Sequence, residues 1–194
     1  MGIDFGLNKF LVLSDNSEIE SPLYHLKNLQ KLKDLNKNLS RKKKGSNNRY
    51  QSKHKLSKLH LRIANQRKDY FHKLANYLAN KYEDIMIEDL NIAALKKIWG
   101  RKVSDLAFSE FVRILESKAN VIKIDRFYPS SKTCSKCLVI NEEVNKSLEG
   151  LKLRTFKCGN CGLSIDRYYN AALNILRVGI STRCKDTIRP ELAG

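Results

Sequence analysis

Acidic residues are scarce in this chain: twenty Asp and Glu stand against thirty-seven Lys and Arg, a net charge of +17 over 194 residues. An excess of that size is the balance expected of a protein that sits on polyphosphate. A solvated basic surface without a specific partner is the bland alternative. The sequence also has no apolar run near the ~18 residues a membrane-spanning helix needs, and no secretory segment at its start. An anionic membrane surface is a weak rival, because the basic segments are long and carry few Trp or Phe on their apolar faces. These absences lead to an expectation of a reducing cytoplasm, and of no membrane partner.

Four of the five cysteines fall in one cluster. Cys134-Ser-Lys-Cys137 and Cys158-Gly-Asn-Cys161 are separated by twenty residues. Each Cys-x-x-Cys turn aims two thiolates at one point, and two such turns face to face complete a tetrahedron, the arrangement of a structural zinc ribbon. Disulfides or a redox pair are the competing readings, and a reducing compartment favours metal. Four protein ligands close the coordination sphere, so this zinc would hold structure and activate no water. Cys184 reads as an unpaired thiol in a tail.

The positive charge is concentrated. Between His25 and Lys73 there are sixteen Lys or Arg and two acids, Asp34 and Asp69. Leu26, Leu29, Leu32, Leu35 and Leu39 recur at helical spacing. Leu56, Leu59, Ile63, Tyr70, Leu74 and Leu78 do the same after a break at 41–48. The pattern predicts an antiparallel helical hairpin over residues 25–81 with an apolar seam and a basic exterior. Arg41, Lys42, Lys43, Lys44, Arg49, Lys53, Arg62 and Arg67 are the candidates to track a nucleic-acid backbone without reading its sequence.

Around the hairpin, short apolar runs at Ile3–Leu7 and Phe10–Leu13, with turn residues 14–17 before a third run, predict a β-meander. Further strands are expected at 84–90 and 121–124. Ser104 and Asp105 signal the start of a helix carrying Leu106, Phe108, Phe111, Ile114 and Leu115. A last helix is expected over 169–178, closed by Gly179. The fold class is α/β, a sheet with flanking helices interrupted by a helical arm and a zinc insertion. Length allows one core-bearing domain with a small module. The expected division is a core with the hairpin over 1–129, a ribbon over 130–163, a final motif and helix over 164–180, and a tail over 181–194. Asp4, Glu88 and Asp166 lie at strand ends or a helix start. Taken singly, each is more often a cap or a solvated strand end; gathered together they could hold divalent metal for phosphodiester hydrolysis.

Four segments together carry a family resemblance: Gly2-Ile-Asp-Phe-Gly6, Ile87-Glu-Asp-Leu-Asn91, Pro129-Ser-Ser-Lys-Thr-Cys-Ser-Lys-Cys137 and Asp166-Arg-x-x-Asn-Ala-Ala-x-Asn-Ile175. In this order, over nearly the whole chain, they resemble TnpB, also called OrfB, a transposon-encoded relative of type V CRISPR effectors. The resemblance implies a RuvC-like, RNase H-type nuclease domain with a zinc ribbon before its last motif. It further implies RNA-guided, Mg²⁺-dependent DNA cleavage, with DNA and guide RNA as partners at a prokaryotic nucleoid. Asp4 matches the first catalytic acid and Glu88 the second. The family's third metal ligand falls at Tyr168, a bulkier phenol that is neutral at pH 7. Asp166 matches the motif's first Asp, which reads as a cap for the following helix or a support for the metal ligands.

Relatives carry a long region before the first Asp motif, and here that motif begins at Gly2. The expectations that follow are a frayed first strand, a missing half supplied by another chain or by self-association, and impaired cleavage. The Lys118–Val121 connection reads as short, and Leu138 stands where Gly often follows the first cysteine pair.

Overall fold

The computed structural model describes residues 1–6, 9–92, 97, 100, 105–141 and 154–188. Leu7, Ser104 and residues 142–153 and 189–194, which the expected strand, helix start, ribbon and tail include, lie outside this set.

A five-stranded mixed sheet organises the chain. Its strands are β1 (Gly2–Phe5), β2 (Leu11–Leu13), β3 (Glu18–Ile19), β4 (Asp84–Glu88) and β5 (Asn120–Ile124), in spatial order β3-β2-β1-β4-β5. The first three form the expected meander, with Ile3 opposite Leu13 and Leu11 opposite Ile19. β1 and β4 run parallel, as do β4 and β5, so each pair needs a crossover. The long helix α3 (Asn47–Lys81) lies in the first crossover, and α4 (Phe108–Glu116) in the second. The first strand is not frayed. The Met1 ammonium donates to the Asp84 carbonyl at 2.7 Å, and Met86 N–H donates to the Met1 carbonyl at 2.8 Å.

Alternation along the strands splits the core in two. Ile3, Ile85 and Ile87 face a cluster built from Phe71, Leu74 and Leu78 of α3 and Phe108, Phe111 and Leu115 of α4. The opposite face, with Met86 and Ile124, packs on α5 (Arg167–Ile188) through Ile175 and Leu176. Close seating there depends on two glycines. A Cβ on Gly2 would lie 2.2 Å from the Ala172 carbonyl oxygen, and one on Gly179 would lie 2.1 Å from Met86 Cγ. Gly179 therefore does not end the helix. It lets α5 lie on the sheet and continue to Ile188, so the expected tail begins as helix and Cys184 sits exposed on it.

The hairpin pairs α2 (Leu29–Ser40) with the first half of α3, which at 35 residues is roughly 50 Å long. Leu32, Leu59 and Ile63 form the buried seam, with Leu35, Leu56 and Tyr24 against it. The second half of α3 joins the main core, so one helix carries both the arm and part of the domain. Leu26 does not join the seam. It is 57% exposed on the short helix α1 (Tyr24–Lys27), which Asn28 separates from α2. Asp105 likewise does not start the helix of Phe108. Ala107 interposes with φ 48°, and the Asp105 carboxylate instead accepts from His25 N–H at 3.2 Å and Leu26 N–H at 3.1 Å, capping α1. The local start signal was genuine, but it acts on a helix eighty residues earlier.

Candidate functional site

Pairing of Ile3 with Ile87 fixes the next residues, Asp4 and Glu88, side by side on the α5 face of the sheet. Their environment resists charge. Asp4 is pushed up to about 8, first by burial and then by the negative charge of Glu88. Asp166 adds to this, while the Arg167 guanidinium and the Phe5 N–H oppose it. Glu88 is raised by burial and by Asp89, against a hydrogen bond from the Ser130 hydroxyl to Oε2 at 3.4 Å. Adjacent carboxyls short of local compensation suit a divalent cation in charge and donor type.

The third position fits less well. Asp166 ends strand β7 (Ser164–Asp166), which pairs with β6 (Thr155–Lys157) in the ribbon's own two-stranded sheet. Its Oδ1 accepts from Tyr168 N–H at 2.8 Å and Tyr169 N–H at 3.2 Å, the geometry of a helix N-cap. Its Oδ2 faces Lys9 Nζ at 3.5 Å, and Lys9 is also paired with Glu18. Tyr168 turns its ring beside Gly6, where a Cβ would be 3.4 Å from Tyr168 Cε1, and under the Arg167 guanidinium at 5.3 Å. Asp4 and Glu88 thus offer a metal two adjacent carboxylates, while Asp166 is engaged by the first turn of α5 and by Lys9.

The four cysteines come together. Cys134 and Cys161 sulfurs are 3.6 Å apart, as are those of Cys137 and Cys158, and all four Sγ atoms lie within 4.8 Å of one another. A tetrahedron with Zn–S near 2.3 Å has edges of about 3.8 Å, so the donor set fits zinc. The two halves are built alike. Leu138 N–H donates to the Cys134 carbonyl at 3.0 Å and Gly162 N–H to that of Cys158 at 3.0 Å. Phe156, fully buried, packs between them with Leu163.

Side chains that sequence reasoning missed fasten this ribbon to the sheet. Asn170 Oδ1 accepts from Ser135 N–H at 2.9 Å while its Nδ2 donates to the Thr133 carbonyl at 2.7 Å. Asn174 Nδ2 donates to the carbonyls of Ser130 at 2.8 Å and Thr133 at 2.7 Å, and Arg177 donates to that of Ser135 at 2.6 Å. Spacing of four and then three puts all three on one stripe of α5. Asn170 and Asn174, set among Ala171, Ala172 and Ile175 at helical spacing, were the available signal.

The basic candidates divide. Arg41, Lys43, Lys44, Lys53 and Arg62 are exposed on the arm, and Lys42 is partly covered. Arg49 is taken up by the Leu39 and Lys42 carbonyls at 3.0 and 3.2 Å, where it closes the hairpin turn. Arg67 is held by Glu110 at 2.9 Å and ties the arm to α4. Among the described residues no helix is long and apolar enough to cross a membrane.

A meander followed by two parallel strands, acids at adjoining strand ends and a four-cysteine ribbon before the last helix define a RuvC-like domain of the RNase H type. A family model described as "Probable transposase" matches residues 1–99, and one described as "Cas12f1-like, TNB domain" matches residues 108–175. The chain is 35% identical to a "Putative RNA-guided DNA endonuclease" of Streptomyces pristinaespiralis, over 98% of this chain and 48% of that protein. It is 32% identical to a TnpB-like protein of Acanthamoeba polyphaga mimivirus, over 92% of this chain and 37% of the relative. Its fold matches a Cas12f1–sgRNA–target DNA complex with a TM-score of 0.60, at 24% identity over 90% of this chain and 48% of that one. The chain belongs to the TnpB (OrfB) family, and spans about half or less of the length of these relatives.

Proposed function

We propose that this chain is the RuvC-like, zinc-binding portion of a TnpB-family RNA-guided DNA endonuclease, and that it binds DNA and guide RNA but cleaves poorly. Asp4 and Glu88 serve as the two surviving metal ligands, and Tyr168 stands in the place of the third. The carrying observation is the state of Asp166, whose carboxylate is committed to capping α5 and facing Lys9. Loss of a direct ligand costs more than the 10–100-fold typical of a group that merely supports one. The exposed arm cations supply salt-dependent contact with phosphates, and zinc keeps the ribbon folded. When bound, Mg²⁺ would activate the attacking water and stabilise the leaving oxygen.

A residual endonuclease using Asp4, Glu88 and Asp166 is the second reading, favoured by the influence of Asp166 charge on Asp4. Labelled single-stranded DNA incubated with the protein and Mg²⁺ or Mn²⁺ separates the two. The expected result is binding with little cleavage, and a gain of cleavage in Tyr168→Asp that Asp4→Ala abolishes. Robust wild-type cleavage that disappears in both Asp4→Ala and Asp166→Asn would establish the second reading instead.

A further inference from the structure

The segment leaving β5 holds a large apolar side chain out in water. Phe127 is 85% exposed, more than any other large hydrophobic residue among those described. Its backbone is well fixed. The Asp125 carboxylate accepts from Phe127 N–H at 2.9 Å, Tyr128 N–H donates to the Asp125 carbonyl at 3.1 Å, and Ser130 N–H donates to the Tyr128 carbonyl at 2.8 Å. The residues on either side are also held. Arg126 Nε donates to Asp89 at 3.0 Å, and Tyr128 packs with Met86, Ile124 and Ile175. An ordered turn therefore displays the ring, where a loose loop could have folded it inward.

Its position gives the display a purpose. Ile124 is the cross-strand partner of Glu88, so Phe127 lies three residues, at most roughly 10 Å of chain, beyond the carboxylate end of the sheet. Three residues further on, Ser130 returns to Glu88 through its hydroxyl. Phe127 thus lies midway along a connection whose two ends, Ile124 and Ser130, both meet Glu88, in a chain of net charge +17. A bare aromatic face on a strongly basic protein suits an unpaired nucleobase. The base supplies a flat π-face and its phosphates supply the complementary charge. A duplex, with its bases stacked on each other, offers no such face.

We propose that Phe127 is a base-stacking residue that holds single-stranded nucleic acid beside the Asp4–Glu88 site. The assignment rests on the nucleic-acid reading above, and the two can fail separately. Fluorescence anisotropy with matched single-stranded and duplex oligonucleotides, at several salt concentrations, provides the measurement. Phe127→Ala is expected to weaken single-strand binding about tenfold, with duplex affinity and the salt slope unchanged. Phe127→Trp, made in a Trp99→Phe background, should keep its affinity and lose indole emission when the single strand is added. Bound zinc and circular dichroism show that each variant is folded. Unchanged single-strand affinity in Phe127→Ala, an equal loss on both oligonucleotides, or indole emission of the Phe127→Trp variant indifferent to the oligonucleotide would overturn the proposal. So would a change of oligomeric mass, which would make the ring a protein contact. If the wild-type chain bound neither oligonucleotide, the broader reading would fall and take this one with it.

Discussion

The Ser130 hydroxyl donates to Glu88 Oε2 at 3.4 Å, joining the segment that enters the zinc ribbon to one of the two paired acids of the sheet. The same segment offers its Ser130 and Thr133 carbonyls to Asn174 and its Ser135 amide to Asn170. One short stretch of backbone is therefore held by the helix whose first turn carries Tyr168, by the cysteine cluster, and by the acid site. The cysteine cluster and the sheet face that carries Asp4 and Glu88 are parts of one connected structure.

Removing zinc should consequently loosen more than the ribbon. With a chelator present, amide exchange is expected to quicken over 130–138 and 155–166 and also in the first turns of α5, because Asn170 and Asn174 lose ordered partners. Exchange confined to the two ribbon segments, with α5 as protected as in the zinc-loaded protein, would show that the asparagines do not transmit the change.

Asn174→Ala tests the clamp directly. The substitution leaves the buried Ser130 carbonyl without its Nδ2 donor and takes one of two side-chain donors from Thr133. Such a loss costs about 1–3 kcal/mol. Urea unfolding should report a destabilisation of that size, with Asn174→Asp close behind, since a carboxylate cannot donate to the two carbonyls. A midpoint matching wild type would mean that water replaces the amide at no cost.

Leu138 carries φ 65°, and Gly162, at the equivalent place in the second cysteine turn, carries φ 71°. Both turns need a left-handed residue four positions after their first cysteine, and a branched side chain pays for that conformation where glycine does not. Leu138 is also half exposed, so little burial is lost on its removal. Leu138→Gly is expected to stabilise the zinc-loaded protein by roughly 1 kcal/mol and to raise its zinc affinity, read by competition with a chromogenic chelator. Equal or weaker zinc retention would show that the leucine contributes contacts that offset the backbone strain.

Periodicity and spacing made much of this legible. Leu32, Leu59 and Ile63 revealed the hairpin seam, and paired Cys-x-x-Cys turns revealed the ribbon, because both are local repeats whose geometry the chain itself sets. Partners distant in sequence were hidden. Asp105 looked like the cap of its own helix and caps α1, and Arg49 and Arg67 looked like free cations and are held by carbonyls and by Glu110. Gly179 looked like a stop, since nothing in the sequence shows that Met86 presses against it. Proximity of Asp4 to Glu88 came only with the strand register, and the engagement of Asp166 only with the first turn of α5.

Asp15 ties the turn between β2 and β3 to the end of α3, accepting from Tyr82 Oη at 2.7 Å and Lys81 Nζ at 3.3 Å. Partial burial alone would raise its pKa, but the hydrogen bonds from Ser17, Tyr82 and Lys81 together outweigh burial and hold it well below the ordinary carboxylate range. A pKa depressed by folding means that the unfolded chain binds the proton first, so this contribution is full above about pH 4 and fades as pH falls through the folded value. The side chain is a third exposed, and water and salt screen the pair with Lys81. Asp15→Asn should therefore cost below about 1 kcal/mol at pH 7, with a similar cost at pH 5 and a smaller one at pH 3. Urea midpoints at those three pH values supply the check. A cost that grew as the pH was lowered would mean that the carboxylate is held in its protonated form, contrary to the geometry around it.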